Sequence, residues 1–289
     1  MAAGDYTVRS LTLGFCPTAV LAENISALVG SVLISGYTSP IPDGIVIGRA
    51  AMIGGEIVSI LGVAGSVLTI GRGCCDTVPA PHLTGDRIWF FDDSIGSTGV
   101  EYAGNETIGV KVLPRTMSGG AVPVASAPPN GITFNWRFVR PYPPGLVLVN
   151  GQPFTSVLRM EDGTPSLTLS WAHRDRLTQQ DQLIAHAAAS IGPEIGVTYK
   201  ARVFKADNTL VRTVTGIAGT SWVYDWSTAV SDFESAGGLP AGYIRLTAER
   251  DGFESFQDYR IDFDFDGTGP LQPYGLGYRL GESLGGVTP

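Results

Sequence analysis

Charged residues are scarce in this sequence, and most of them are acidic. Only 16% of the residues are charged, whereas about 25% are charged in an average globular protein. The net charge is −8 and the isoelectric point lies near 4.9. Binding to nucleic acid depends largely on Lys and Arg side chains that neutralise phosphates. The shortage of basic residues therefore argues against nucleic acid as a partner.

Cysteine is also rare, and long apolar runs are absent. The three cysteines, Cys16, Cys74 and Cys75, are odd in number and form no C-x-x-C pair, so the pattern predicts reduced thiols rather than a disulfide framework or a zinc site. No apolar run approaches 18 residues, and the stretch from Met1 to Asp5 lacks the basic and apolar parts of a signal peptide. We therefore expect a soluble protein that does not insert into membranes.

Glycine and proline are abundant, with 38 and 19 residues respectively. Each costs about 1 to 3 kcal/mol inside a helix, so the composition favours short strands joined by tight turns. The chain has 289 residues, 44% of them hydrophobic, which is enough for two modest cores. These features predict an all-β protein with two domains.

The first predicted domain, residues 1–113, resembles a small β-barrel in its pattern. Short β-branched runs alternate there with glycines, and turns are expected at Gly54-Gly55 and from Gly62 through Gly65. The predicted strands are Tyr6–Leu13, Val29–Ser35, Val46–Ile47, Ile57–Leu61, Val67–Ile70 and Ile88–Phe91. A stretch rich in Pro, Gly and Ala, residues 114–140, is the predicted linker.

The second predicted domain, residues 141–266, has the alternation of an immunoglobulin-like sandwich. Leu167, Leu169 and Trp171 alternate with polar residues, and Asp207-Asn208 is a plausible hairpin turn. Further strands are predicted at Tyr199–Phe204, Leu210–Val214, Ser221–Tyr224, Tyr243–Ala248 and Tyr259–Phe265. Residues 179–189 fit either a short helix or an extended connection. Residues 267–289 are expected to form a Gly-rich C-terminal arm.

No combination of residues predicts a catalytic, cofactor-binding or metal site. The three histidines, His82, His173 and His186, lack an accompanying G-x-S-x-G motif. His82 is expected in a turn, bonded to backbone, and His173 at a strand edge with mixed charges. Gly71-Arg72-Gly73 lacks the remainder of a phosphate-binding loop, and no dinucleotide-binding motif occurs.

Two further groups of side chains have a structural interpretation and a functional alternative. Asp262, Asp264 and Asp266 are predicted on the solvated face of one strand, opposite Ile261, Phe263 and Phe265. Together with Asp251, Glu254 and Asp258 they form an acidic cluster, for which calcium binding is the alternative. Trp222 and Tyr224 are predicted to fill the sandwich core. The alternative is that these two residues and Trp226 form a sugar-binding platform.

Two segments resemble the C-terminal part of tail-hub proteins of long-tailed bacteriophages and of phage-like gene-transfer particles. The first comprises Gly55-Glu56-Ile57-Val58, Leu68–Gly73, Asp76–His82 and Gly85–Phe90, and is similar to a β-domain of those hubs. The second comprises Leu167–Arg176, Val211-Arg212-Thr213 and Ser221–Tyr224, and is similar to their fibronectin-III-like domain. A complete hub is much longer and has additional N-terminal domains that ring the tail tube.

The resemblance implies a virion structural protein of the tail tip or baseplate, assembled in the host cytoplasm. It would join the hub to distal tail or fibre components, form a homotrimer and have no enzymatic activity. A host-receptor or glycan-binding tail module is the alternative, and a polysaccharide hydrolase with two carboxylates in a cleft is a further one.

Overall fold

The structure is a computed structural model that describes residues 6–7, 16–38, 45–114, 119–120, 122–159, 166–235 and 241–264. Strands account for 41% of residues and helices for 7%, which confirms the predicted all-β class. The barrel and the sandwich belong to one compact unit, and residues 95–139 belong to a second one.

Eighteen strands and one helix are defined in the described residues. The strands are β1 (Thr18–Leu21), β2 (Ser31–Ser35), β3 (Ala50–Ile53), β4 (Glu56–Ala64), β5 (Val67–Gly71), β6 (Arg87–Trp89), β7 (Thr107–Val110), β8 (Asn130–Thr133), β9 (Gly145–Val149), β10 (Gln152–Pro153), β11 (Leu158–Arg159), β12 (Leu167–Ala172), β13 (Thr198–Lys205), β14 (Leu210–Ile217), β15 (Ser221–Tyr224), β16 (Ala241–Arg250), β17 (Phe253–Glu254) and β18 (Tyr259–Asp264). Helix α1 spans Trp226–Ser235, and 3₁₀ turns lie at Asp92–Ser94 and Arg137–Val139.

Six antiparallel strands close a small barrel in the order β1-β2-β5-β4-β3-β6. Strand β2 shows how the sequence specifies this arrangement, because Val32 and Ile34 point into the core while Ser31, Leu33 and Ser35 face outward. Buried aliphatic side chains from all six strands fill the interior. Closure removes the free sheet edges that short strands would otherwise expose.

The structure corrects several predicted barrel elements. Val46 and Ile47 lie in an exposed turn instead of a strand, and the strand that follows begins at Ala50. Strand β4 continues through Gly62 with a register shift, so that the turn occurs only at Gly65, whose φ is +58°. The turn at Gly54-Gly55 is confirmed. Of the predicted strand Tyr6–Leu13, only Tyr6 and Thr7 are described, and neither is in a strand.

The C-terminal half is a fibronectin-III-like β-sandwich, as predicted. One sheet has the order β10-β9-β12-β15, and the other has the order β11-β18-β16-β13-β14, with β17 paired to β16. The chain crosses from the first sheet to the second between β12 and β13, returns between β14 and β15, and crosses again between β15 and β16, as in sandwiches of this class. Inward side chains of both sheets and of helix α1 form one core, whose largest fully buried members are Tyr199, Tyr224, Tyr259, Phe233 and Phe263.

The structure adds a helix to the predicted sandwich and decides between the two alternatives given for residues 179–189. Helix α1 follows β15, and its first turn is capped by Asp225, which accepts a hydrogen bond from the Thr228 amide at 2.9 Å. Residues 179–189 form the extended connection rather than the helix. The hairpin turn at Asp207-Asn208 is confirmed, and Asn208 adopts the left-handed conformation with a φ of 70°.

The second compact unit contains a two-stranded antiparallel sheet of β7 and β8. Ile108 lies opposite Ile132, and Thr107 lies opposite Thr133 with their hydroxyl oxygens 2.7 Å apart. Tyr102 stacks on Phe134 with a ring separation of 4.6 Å. Predicted strands and arm residues beyond Asp264 lie outside the described residues.

Candidate functional site

The carboxylate of Glu56, buried at the start of β4, is held by several hydrogen bonds. The Arg72 side chain donates to its two oxygens, from Nε to Oε1 and from Nη2 to Oε2, each at 2.8 Å. The amides of Gly73 and Ala80 donate to it at 2.8 and 3.1 Å. The Nε2 atom of His82 lies 2.9 Å from Oε2. Five polar groups therefore surround one buried carboxylate.

Arg72 is equally well satisfied, although it is only 3% exposed. Its Nη1 donates to the carbonyl oxygens of Ser26 and Val29 at 2.8 and 3.0 Å, and its Nη2 also donates to the Ala80 carbonyl oxygen. Together with the two bonds to Glu56, these contacts match the five N–H groups of a guanidinium. The ion pair thus ties β4 to the loop that precedes β2 and to the loop that precedes β6.

His82 is located between strands, as predicted, but its ring has a partner that the sequence analysis did not identify. Its backbone forms a bridge with Ile25, with N–O distances of 2.9 and 3.0 Å. The expectation of backbone bonding is therefore confirmed for the main chain. The ring, however, contacts the Glu56 carboxylate, because the loop of residues 72–82 folds back over the start of β4.

A loop of the sandwich, residues 173–197, lies against this part of the barrel. The amide of His186 donates to the Arg72 carbonyl oxygen at 2.8 Å, and the His186 carbonyl oxygen accepts from the Leu146 amide at 2.6 Å. Arg174, 6% exposed, donates to the carbonyl oxygens of five loop residues: His173, Ala185, His186, Ala188 and Ala189. This arginine therefore shapes the loop that contacts the barrel.

Gln257 makes a second connection between the two bodies. Its Oε1 accepts a hydrogen bond from the Val78 amide at 2.8 Å, and its Nε2 donates to the Gly55 carbonyl oxygen at 2.9 Å. The oxygen and the nitrogen of the Gln257 side-chain amide, which belongs to the sandwich, thus both bind backbone groups of the barrel. Ala27 and Val78 of the barrel also pack into or against the sandwich core. We call these contacts, made by Arg72, His186, Gln257, Ala27 and Val78, together with the buried Glu56–Arg72 ion pair, the joint.

Burial and hydrogen bonding change the acid–base properties of groups at the joint. Burial by itself would raise the pKa of Glu56, but hydrogen bonds and charge from Arg72 and His82 outweigh it, so this pKa is lowered. Burial lowers the pKa of His186 to about 4 and raises the pKa of Cys74 to about 12. At neutral pH, Glu56 is therefore charged, His186 is neutral and Cys74 is a thiol.

The other candidate histidine lies apart from Glu56. His173 follows β12, and its Nδ1 is 2.8 Å from the Tyr199 hydroxyl. Burial lowers the pKa of His173 and raises that of Tyr199 to about 12. Both groups are therefore neutral near pH 7 and form a structural contact at the edge of the sandwich core.

The predicted acidic face of β18 is only partly correct. Ile261 and Phe263 point into the core, as expected, and Asp262 pairs with Arg260 at 2.8 Å. Asp264 is buried and not solvated, because the neighbouring strand β11 lies beside the end of β18. The upstream acids pair with basic side chains, as in Glu254 with Lys200 at 2.9 Å and Asp258 with Arg245 at 3.3 Å. Asp266 lies outside the described residues.

The aromatic residues that suggested a sugar platform contribute to the sandwich core instead. Tyr224 is fully buried and Trp222 stacks on it with a ring separation of 5.5 Å, which confirms the core interpretation. Trp226 also packs against the core from the first turn of α1. The Tyr224 hydroxyl donates to Asp232 at 2.8 Å, and Arg212 binds the same carboxylate through two nitrogens at 2.6 and 2.8 Å.

Sequence reasoning did not identify the joint, although its residues were visible. Glu56 was recognised only as part of the hub-like segment, Arg72 only there and in the rejected phosphate-loop pattern Gly71-Arg72-Gly73, and Gln257 was not singled out. The available signal was a charged residue next to the apolar residues of a predicted strand, since Glu56 directly precedes Ile57-Val58. A carboxylate rarely becomes fully buried without a partner.

Comparison with known proteins adds no family assignment: no protein-family model matches the chain, and no curated protein matches it. Within the described ranges, no group of three or more His, Cys, Asp or Glu side chains is arranged to hold a metal ion. No helix in the part of the chain that the structure describes is long and apolar enough to cross a membrane.

Proposed function

We propose that this chain is a structural protein of a phage tail tip or baseplate, which joins the hub to distal tail or fibre components. The observation that supports this proposal is the joint, which fixes a barrel and a fibronectin-III-like sandwich in one compact unit. A connector must keep the orientation of its two ends, and buried polar contacts between modules define an orientation that apolar packing alone defines less sharply.

The chemistry of the joint favours a mechanical role over catalysis. The Glu56 carboxylate and the Arg72 guanidinium use their hydrogen-bonding capacity on each other and on backbone groups. A perturbed buried carboxylate can mark an active site, but structural ion pairs perturb pKa values in the same way. A catalytic acid or base needs access to a substrate proton, and Glu56 is 1% exposed.

Other tail proteins are the proposed partners, and the virion tail tip is the proposed location. The tail-hub resemblance supports three copies around the tail axis. The alternative, a receptor-binding or glycan-binding module, would need a recognition surface other than Trp222 and Tyr224, because these side chains pack in the core. A glycan array with the purified chain tests that alternative, since a connector is expected to give no binding.

Localisation in intact particles tests the proposal directly. Particles purified from cells that express this chain are imaged by cryo-electron microscopy, with a gold-labelled antibody raised against the chain as a marker. We expect label at the distal end of the tail, and density there that fits the barrel and sandwich as one body. Absence of the chain from purified particles would overturn the proposal, as would turnover of peptidoglycan or capsule by the purified protein.

A further inference from the structure

Two Asn-Gly pairs of this chain, Asn130-Gly131 and Asn150-Gly151, lie in different environments. In such a pair the backbone nitrogen of the glycine can attack the side-chain amide carbon of the asparagine. Glycine permits this attack more readily than other residues, because it has no Cβ to obstruct the approach and its backbone is conformationally free. The surroundings of each pair therefore decide whether the reaction proceeds in the folded protein.

The reaction is a deamidation, and water is its only co-reactant. The glycine nitrogen gives up its proton and forms a bond to Cγ of the asparagine, which closes a succinimide ring. The side-chain nitrogen takes up the proton and leaves as ammonia. Water then opens the ring at either carbonyl carbon. Opening at one carbonyl gives aspartate, and opening at the other gives isoaspartate, in which the main chain runs through the former side chain.

The register of β8 leaves the amide of Gly131 outside the ladder with β7. Asn130 begins β8, and both residues of the pair are exposed. The Phe134 amide donates to the Glu106 carbonyl oxygen at 2.9 Å, so these two residues form a hydrogen-bonded pair. Hydrogen-bonded pairs alternate with pairs that share no backbone bond. Counted along β8 from Phe134, Gly131 falls at a pair of the second kind, opposite Gly109. Its N–H therefore points away from β7.

The Asn130 pair is also held weakly by its surroundings. Attack requires the asparagine backbone to rotate out of its extended conformation, so the beginning of β8 must open. All four residues of β8 are exposed, and within the described residues β8 pairs with β7 alone. A two-stranded sheet is marginal in water, so local opening costs little free energy. In the part of the chain that the structure describes, no hydrogen bond holds the Asn130 side chain.

The second pair, Asn150-Gly151, is held on both its backbone and its side chain. It forms the turn between β9 and β10, with φ values of 47° and 75°. The Asn150 side-chain oxygen accepts from the Thr168 amide at 2.7 Å, and the Asn150 amide donates to the Thr168 carbonyl oxygen at 2.8 Å. The preceding residue, Val149, is fully buried in a four-stranded sheet. Opening this turn therefore breaks both bonds to Thr168 and disturbs the sandwich core.

We infer that Asn130 is a site of spontaneous deamidation in the folded protein, whereas the fold protects Asn150. Isoaspartate at position 130 lengthens the backbone of β8 and adds a carboxylate at its first residue. The extra main-chain carbon shifts β8 against β7, so the pair of Val110 and Asn130 is lost. This inference does not depend on the proposed function, and its test uses the purified chain alone.

Peptide mapping by mass spectrometry tests the inference on the intact chain, incubated at mildly alkaline pH, where the glycine amide loses its proton more easily. Asn130 should convert about tenfold faster than Asn150 or more, since each 1.4 kcal/mol of extra stability against opening supplies about that factor. Fragmentation of the peptide should identify isoaspartate at position 130. In urea the two sites should convert at similar rates, because the fold no longer distinguishes them. Equal rates in the folded chain would overturn the inference, as would faster conversion at Asn150 or an equal preference for Asn130 in urea.

Gly131→Ala tests the assigned nucleophile. A Cβ at Gly131 meets no heavy atom within 4 Å, and the backbone there is not left-handed, so the strand accepts alanine. Conversion at Asn130 should slow severalfold, because the new methyl group obstructs the approach of the nitrogen. Gly219→Ala is the matched control, since its Cβ also meets no heavy atom within 4 Å, and it should leave the rate at Asn130 unchanged. An undiminished rate in Gly131→Ala would contradict the proposed attack.

Discussion

Arg72 binds Glu56 through both carboxylate oxygens in a buried ion pair, with both N–O distances at 2.8 Å. The two residues are 16 positions apart in sequence and meet at the open end of the β4–β5 hairpin, where β4 begins and β5 has just ended. The same arginine presents its carbonyl oxygen to His186 of the sandwich. One residue therefore stabilises the barrel through its side chain and contacts the sandwich through its backbone.

Replacing Glu56 with Gln should destabilise the protein by about 3 to 5 kcal/mol, because it leaves the buried Arg72 guanidinium without its counter-charge. Urea unfolding followed by circular dichroism measures the change in free energy. Asp93→Asn is the matched control, since Asp93 pairs with Arg49 at 3.2 Å on the surface and is more than half exposed. The control should change the free energy of unfolding by about 0 to 1 kcal/mol. Equal effects of the two variants would contradict the assigned role of Glu56.

Stability should decrease as the pH falls from about 6.5 towards 4, in part through His186. Burial lowers the pKa of His186 to about 4 in the folded protein, whereas an unfolded histidine has a pKa of about 6.5. Between these values the unfolded state binds more protons, so the free energy of unfolding rises with pH. His186→Gln should reduce this slope when the free energy of unfolding is measured across the interval. An unchanged slope would show that His186 takes up its proton equally in both states.

Gln257→Ala should loosen the joint while leaving both cores folded. The variant removes the acceptor of the Val78 amide and the donor to the Gly55 carbonyl oxygen. Exchange of the Val78 amide hydrogen should accelerate, and the free energy of unfolding should fall by about 1 to 3 kcal/mol. Gln182→Ala, on an exposed position of the loop that contacts the barrel, is the control and should alter neither quantity. Unchanged exchange at Val78 in Gln257→Ala would argue against the contact.

Gly242→Ala should destabilise the sandwich by overpacking. A Cβ at this position would lie 2.5 Å from both the Phe204 carbonyl oxygen and Phe233 Cζ, which is too close for carbon. The cost of such overpacking is about 1 to 3 kcal/mol, and thermal unfolding measures it. Gly219→Ala is the control, because no heavy atom lies within 4 Å of its Cβ position. A variant Gly242→Ala as stable as the control would show that α1 can move away from β16.

Local patterns were sufficient for most of the sandwich. Leu167, Leu169 and Trp171 alternate with polar residues and are all buried, and Ile261 and Phe263 behave likewise. The two-residue period of a strand relates sequence directly to burial wherever one face meets a core. The same argument placed Trp222 and Tyr224 on one face.

Local patterns failed where distant strands decide the environment. Val46 and Ile47 are β-branched, yet they lie in a turn because the barrel closes through Ala50–Ile53. Asp264 follows the same alternation as Asp262, but β11 lies beside it and removes it from solvent. Neither outcome depends on the residues adjacent in sequence.

The sequence by itself determined the all-β class and most of the sandwich strands, because composition and strand periodicity act over a few residues. Only the tertiary structure decided that Glu56, Arg72 and His82 meet, and that Gln257 reaches Val78 from 179 residues away. Contacts of this kind depend on how the barrel closes and on where the sandwich docks. Removing such polar groups from water is unfavourable unless each of them finds a partner, and the partners here come from residues far apart in the sequence.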